Sequence, residues 1–148
     1  MEKTTLIKTG FYTFICTMGG VLGNLFGGWD KLIIALITCS IIDYLSGGAV
    51  AIVFKNSPKT ETGGAQSNVG FKGLVKKFFI YLIIVVIVQI DTVVGSNGFI
   101  RNAVIIGFMV NEVLSIVENA GLMGIPMPDT VKNAIDILKS KSQNVEKS

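Results

Sequence analysis

Apolar residues in this chain do not alternate with polar ones; they come in long blocks separated by short polar segments. A helix needs roughly 20 residues to cross the 30 Å hydrocarbon core of a bilayer, so blocks near that length are candidate spans. Four stand out, at about 11–28, 32–54, 78–94 and 99–118. The third, "FFIYLIIVVIVQIDTVV", is rich in β-branched residues that would suggest a strand in water. In lipid an unpaired strand leaves its backbone groups without partners, so a helix is predicted there too. The first block is short and heavy in glycine and hydroxyl side chains, and the expected architecture is therefore three to four spans. A secretory signal competes for this block, because Lys3 and Lys8 precede it, but no A-x-A cleavage pattern follows.

The polar segments carry their own pattern. Residues 55–77 open with "KNSPKTETGGAQS", whose Gly and Pro turns read as a flexible connector. Toward the end of that loop Phe71, Leu74, Val75 and Phe78 recur at helical spacing beside Lys72, Lys76 and Lys77. That spacing suits a short helix at headgroup depth feeding the third span; equally, the lysines snorkel from the start of the span itself. In the tail, 119–148, "GIPMP" interrupts any helix. Asp129 can then cap a short amphipathic helix of about ten residues that aligns Val131, Ala134, Ile135 and Leu138 on one face. Beyond residue 140 the sequence is polar and predicts disorder.

Composition sharpens this into a class. Half of the residues are hydrophobic and only 16% are charged, against roughly 25% charged in soluble domains. The prediction is an all-α integral membrane protein forming one membrane domain over 1–148. The net charge of +3 acquires meaning once the cations are placed. Lys3 and Lys8 precede the first block, Lys55, Lys59, Lys72, Lys76 and Lys77 lie in the 55–77 loop, and Lys132, Lys139, Lys141 and Lys147 lie in the tail. In a four-span arrangement these share one side, and only Lys31 and Arg101 are opposite. The positive-inside rule then makes both termini and the middle loop cytoplasmic, in a multi-pass protein of the cytoplasmic membrane. The charge is topogenic, and no nucleic-acid partner is expected.

Catalytic chemistry has little to work with. The chain has no histidine, and Cys16 and Cys39 lie inside apolar blocks rather than at metal-ligand spacing. No glycine-rich phosphate loop appears. No catalytic, cofactor-binding or metal-binding residue is assigned, and the reading is that this is not an enzyme.

Three features remain as candidates. Gly19, Gly23 and Gly27 form GxxxGxxxG, a spacing that admits close helix approach, either from another subunit or from the chain's own spans. Asp43 lies mid-block, where a carboxylate costs roughly 2.5–3.5 kcal/mol, with Ser40, Ser46, Cys39 and Gly47 near its face. It can bind a proton, line a pore, or hydrogen-bond a neighbouring helix. In the fourth block Asn111, Glu112, Ser115, Glu118 and Asn119 fall within an arc of about 120°. Glu118 and Asn119 can mark the membrane boundary, but Glu112 is about two turns deeper and needs a partner, water or a neighbouring subunit.

With these residues in view, "IIDYLSGG", "VGFKGLVKKF", "VQID" and "NEVLSIVENAGLMGIPMPDTVKNAI" together resemble the phage lysis and toxin-secretion holin family of Gram-positive bacteria and their phages, over roughly residues 29–139. Asp43 and Gly47 match the second-span motif, Gly73, Lys76 and Lys77 the basic approach to the third span, and Asp91 the acid of "QID". Glu112, Glu118, Asn119, Gly124, Pro126 and Pro128 match the last motif. The resemblance implies a homo-oligomer in the lipid bilayer of the bacterial cytoplasmic membrane. Its lesions or pores would release a cell-wall hydrolase (endolysin) or a large toxin, without direct contact being implied. Two other readings fit the same residues: a small four-helix proton-coupled exporter, and a nonconducting antiholin or scaffold.

Overall fold

In the computed structural model, which describes residues 2–134, 136 and 137, the chain is all-α, with no strand among the described residues. Its helices are α1 (Glu2–Leu25), α2 (Lys31–Ile52), α3 (Ser67–Val94) and α4 (Phe99–Leu122). All four are long and apolar enough to cross a membrane.

The helices differ from the apolar blocks where local chemistry overrides hydropathy. α1 begins at Glu2, well ahead of the apolar block. Its threonines satisfy themselves within the helix, Thr13 and Thr17 donating to the carbonyls of Thr9 and Thr13 at 2.9 and 2.8 Å. It ends earlier than expected because Gly27 takes a left-handed conformation (φ +73°). Gly28 N then donates to Gly23 O at 2.7 Å and Gly27 N to Asn24 O at 3.2 Å, a Schellman closure. α3 begins at Ser67 and runs without a break through the lysines into the apolar block.

Two compact units make up the chain, Met1–Thr38 with Lys76–Met109, and Cys39–Val75 with Val110–Ser148. In the first, Ile33, Leu36, Ile84, Val88 and Ile105 are buried together, flanked by Phe26, Ile80, Tyr81 and Phe108. Lipid removes the hydrophobic drive that such burial supplies in water, so close van der Waals packing holds this cluster. α1 packs on the unit only through its last turns. Residues 3–18 are all exposed, among them Leu6, Ile7, Phe11, Phe14 and Ile15, an exterior suited to acyl chains.

In the second unit the loop after α2, whose composition suggests a flexible connector, folds into hydrogen-bonded turns. Ser57 N donates to Gly63 O at 2.9 Å, Gly63 N to Thr60 O at 3.2 Å, and Thr60 Oγ1 to Gly64 O at 2.9 Å. Gly63 has φ +69°, and a Cβ there would come within 2.2 Å of Lys55 O, so the turn accepts only glycine. Gly and Pro announce turns in folded and unfolded loops alike, so composition located these turns without giving their hydrogen bonds. Asn56 Nδ2 donates to Leu122 O at 3.1 Å, satisfying a terminal carbonyl of α4. α4 closes with Ile125 N on Ala120 O at 3.0 Å, and Pro126 and Pro128 follow. In the tail, residues 129–134, 136 and 137 are helical, with Val131 half-buried and Ala134 exposed. Ile135, Leu138 and the segment past 140 lie outside the described residues.

Candidate functional site: a polar seam and a charged turn

The second unit joins α2 to α4 through polar side chains. Ser40 Oγ donates to Glu112 Oε1 at 3.0 Å, and both residues are about 5% exposed. Asn119 Nδ2 reaches Ser46 Oγ at 2.9 Å, Asp43 Oδ1 at 3.2 Å and Asp43 O at 3.4 Å. Ser46 Oγ in turn donates to Asp43 O at 3.0 Å. Gly47 lies beside the same amide, where a Cβ would make ordinary van der Waals contact with Asn119 Nδ2 at 3.6 Å. On α2 these residues continue a stripe of alternating steps of three and four: Ile33, Leu36, Ser40, Asp43, Gly47, Val50. That spacing is the heptad seam of packed helices. Its apolar members are all buried, as is Ser40.

The polar arc of α4 divides along its length. Glu112 and Asn119, seven residues apart, form its inner edge and are buried. Ser115 is half-buried, and Asn111 and Glu118, about 100° around the helix, are exposed. One arc therefore serves both the interior and the exterior.

The first unit holds a second polar cluster at its turns. Arg101, 5% exposed, donates from Nη1 to Asp30 Oδ2 at 2.6 Å and to Asn102 Oδ1 at 3.0 Å, and from Nε to Phe26 O at 2.7 Å. Nη2 lies 3.4 Å from Gly28 O. The guanidinium thus meets the carbonyls where α1 ends, the favourable pole of a helix for a cation. Asp30 works twice. Its Oδ1 accepts from Ile33 N at 3.0 Å and so caps α2, while the Arg101 bond holds its carboxyl below the ordinary carboxylate range. On the neighbouring turn Asp91 accepts from Ser96 Oγ and from the amides of Gly98, Ile100 and Arg101 at 2.6, 2.9 and 3.2 Å. The acid of "VQID" therefore caps α4 from the end of α3.

The remaining candidates fall as follows. Gly19 and Gly23 lie on α1, but Gly27 is in the turn beyond it. The indole of Trp29 fills the groove they leave. Its Nε1 donates to Gly19 O at 2.8 Å, and a Cβ on Gly23 would meet the ring at 2.7 Å. Lys72 and Lys76 are exposed and Lys77 is half-buried. Cys16 and Cys39 are free thiols, and among the described residues no cluster of His, Cys, Asp or Glu is arranged to hold a metal. Sequence reasoning missed Asp30 and treated Arg101 only as a topogenic charge. Two signals were present: an acid immediately before an apolar run, where a helix N-cap belongs, and a cation in the first turn of an apolar helix, which needs a partner.

Comparison with known proteins agrees with this architecture. The chain matches the bacteriophage holin family over residues 20–140. An uncharacterised protein of Listeria innocua is 35% identical over 141 residues, covering 95% of this chain and 92% of its own. An uncharacterised 14.9 kDa protein of Clostridium perfringens is 30% identical over 128 residues, covering 86% and 91%. The probable holin of Bacillus phage phi105 is 28% identical over 121 residues, covering 81% and 84%. No solved structure matches. With four apolar helices and a family match extending from α1 past the end of α4, this multi-pass membrane protein belongs to the bacteriophage holin family.

Proposed function

We propose that the chain is a holin of a bacterial cytoplasmic membrane, which self-associates and opens lesions that let a cell-wall hydrolase or a large toxin pass. Both termini and the 55–77 segment are read as cytoplasmic from the lysine distribution. The observation that carries the reading is the α2–α4 seam, in a chain of this family: carboxylates, hydroxyls and an amide at membrane depth, hydrogen-bonded to each other. Each such bond within a membrane contributes only about 0.6 kcal/mol, and at most about 2. A handful of them holds a protomer closed without making closure permanent. Neighbouring protomers or water can supply equivalent partners, so assembly can exchange internal contacts for shared ones at small net cost. Asn111, exposed on the outer edge of the same arc, offers a first polar contact between protomers.

The test is induced expression with a co-expressed endolysin, following membrane potential by a voltage-sensitive dye and lysis by turbidity. Depolarisation followed by lysis is expected. Full retention of potential at high expression overturns the reading, and substrate-dependent proton flux in proteoliposomes without leakage of larger dyes would replace it with an exporter.

A further inference from the structure

One face of α3 is left outside the packing of the chain, and its chemistry is mixed. Phe71, Leu74, Val75, Phe78 and Phe79 fall within an arc of about 140° on that helix. All five are exposed, Phe71 to 67% and Phe78 to 60%. The buried residues of α3, Ile84, Val88 and Asp91, lie on the opposite side of the same wheel. Lys72 and Lys76, one turn apart and both exposed, border the apolar arc. Lys77 is half-buried on the other flank and does not belong to this surface. No acid occurs in the sequence between Glu61 and Asp91, so about the first five turns of the helix carry this positive charge with no acid of their own, and Asp91 lies near the far end.

Three phenylalanines on one exposed arc belong among acyl chains, which puts the two lysine stems beside them at the edge of the hydrocarbon. A lysine so placed extends its ammonium to the phosphate layer. We propose that Lys72 and Lys76 form a contact surface for the headgroups of anionic phospholipids, with Phe71, Phe78 and Phe79 against the acyl chains. This goes beyond a topogenic role. A topogenic lysine biases orientation during insertion, whereas this pair selects a class of lipid in the finished protein. A lysine near an anionic surface contributes about fivefold in preference, so the pair gives a preference of several-fold to about 25-fold.

The experiment uses the full chain reconstituted in phosphatidylcholine vesicles containing a trace of spin-labelled phosphatidylglycerol or spin-labelled phosphatidylcholine. The motionally restricted fraction of each label is compared. Phosphatidylglycerol is expected to be favoured several-fold, and the preference should collapse in 1 M salt, where charges screen over about 3 Å. It should also fall toward one in Lys72→Gln/Lys76→Gln while persisting in Lys72→Arg/Lys76→Arg and in Lys132→Gln, with helix content checked by circular dichroism. Equal restriction of the two labels in the wild type overturns the proposal, as does an unchanged ratio in the double glutamine variant. Millimolar inorganic phosphate should not displace the labelled lipid; displacement would make this an anion pocket and overturn the lipid assignment. The readout needs no lesion, so it is independent of the assembly reading.

Discussion

Replacing Arg101 by methionine and Asp30 by asparagine, singly and together, isolates the bond that ties the turn before α2 to the start of α4. Arg101→Met removes a charged donor from Phe26 O, worth about 1.5–3 kcal/mol, and its ion pair with Asp30. Asp30 is 45% exposed in its side chain while Arg101 is 6% exposed, so the stranded carboxylate rehydrates and the pair itself contributes only about 1 kcal/mol. The expected loss is about 3 kcal/mol. Asn retains the capping of α2 but turns its Nδ2 toward the guanidinium, which keeps its bonds to Phe26 O and Asn102 Oδ1, so Asp30→Asn should cost about 1–2 kcal/mol, with a coupling of about 1 kcal/mol in the double-mutant cycle. Trp29 is the sole tryptophan and sits in the same turn, edge-on to Phe26 with centroids 6.0 Å apart. Its fluorescence during denaturant unfolding in detergent micelles therefore reports on this cluster. Acid supplies an independent check of sign. Because Arg101 lowers the Asp30 pKa, the stabilisation is complete above the unfolded value of about 4 and is lost as pH falls through the lowered folded value. The wild type should lose more stability over that window than Asp30→Asn does. Zero coupling, or an Asp30→Asn loss as large as that of Arg101→Met, would refute the assignment of Arg101 as the centre of the cluster.

Other outcomes follow from the remaining contacts. Glu112→Leu removes the acceptor of Ser40 and should shift the onset of lysis, whereas Glu112→Gln retains an acceptor and should stay near wild type; identical timing in both would take Glu112 out of the mechanism. Asn119→Leu forfeits its bonds to Asp43 and Ser46, a loss of roughly 1–2 kcal/mol that unfolding in micelles should register. Asp91→Ala uncaps α4 at a cost of about 0.5–2 kcal/mol, seen as faster hydrogen exchange at the amides of Ile100 and Arg101. Gly63→Val collides with Lys55 O and should open the 53–66 loop to proteolysis, while unchanged cleavage would contradict the turn described.

Hydropathy made the four helices legible because lipid imposes one requirement on all of them: internal hydrogen bonding along a fixed length. Their ends were less so. α1 closes through the left-handed conformation of Gly27 and begins among the polar residues from Glu2, and hydropathy reads neither. Asp43 and Glu112 were recognisable as costly where they stand, but the choice among Ser40, Ser46, Asn119 and other partners required knowing which helix faces which. Helical spacing grouped Asn111 and Glu118 with the buried pair because an arc of about 120° is wide enough to span both sides of a packed helix. Arg101 and Asp30 are far apart in sequence, and only the fold brings their opposite charges together.

The partners across the seam also act as a ruler. Ser40 meets Glu112, and Ser46 meets Asn119, so the two segments run in parallel with a nearly constant offset. A slide of one helical turn, about 5.4 Å, would bring Phe108 or Ile116 opposite Ser40, neither of which can accept a hydrogen bond. It would leave Ser46 facing Ser115 or Met123. No neighbouring register offers a comparable set of partners, so axial creep of α2 along α4 has no intermediate resting place. Within this unit the contact either keeps its register or separates as a whole, which gives the pair the behaviour of a latch rather than of a slide.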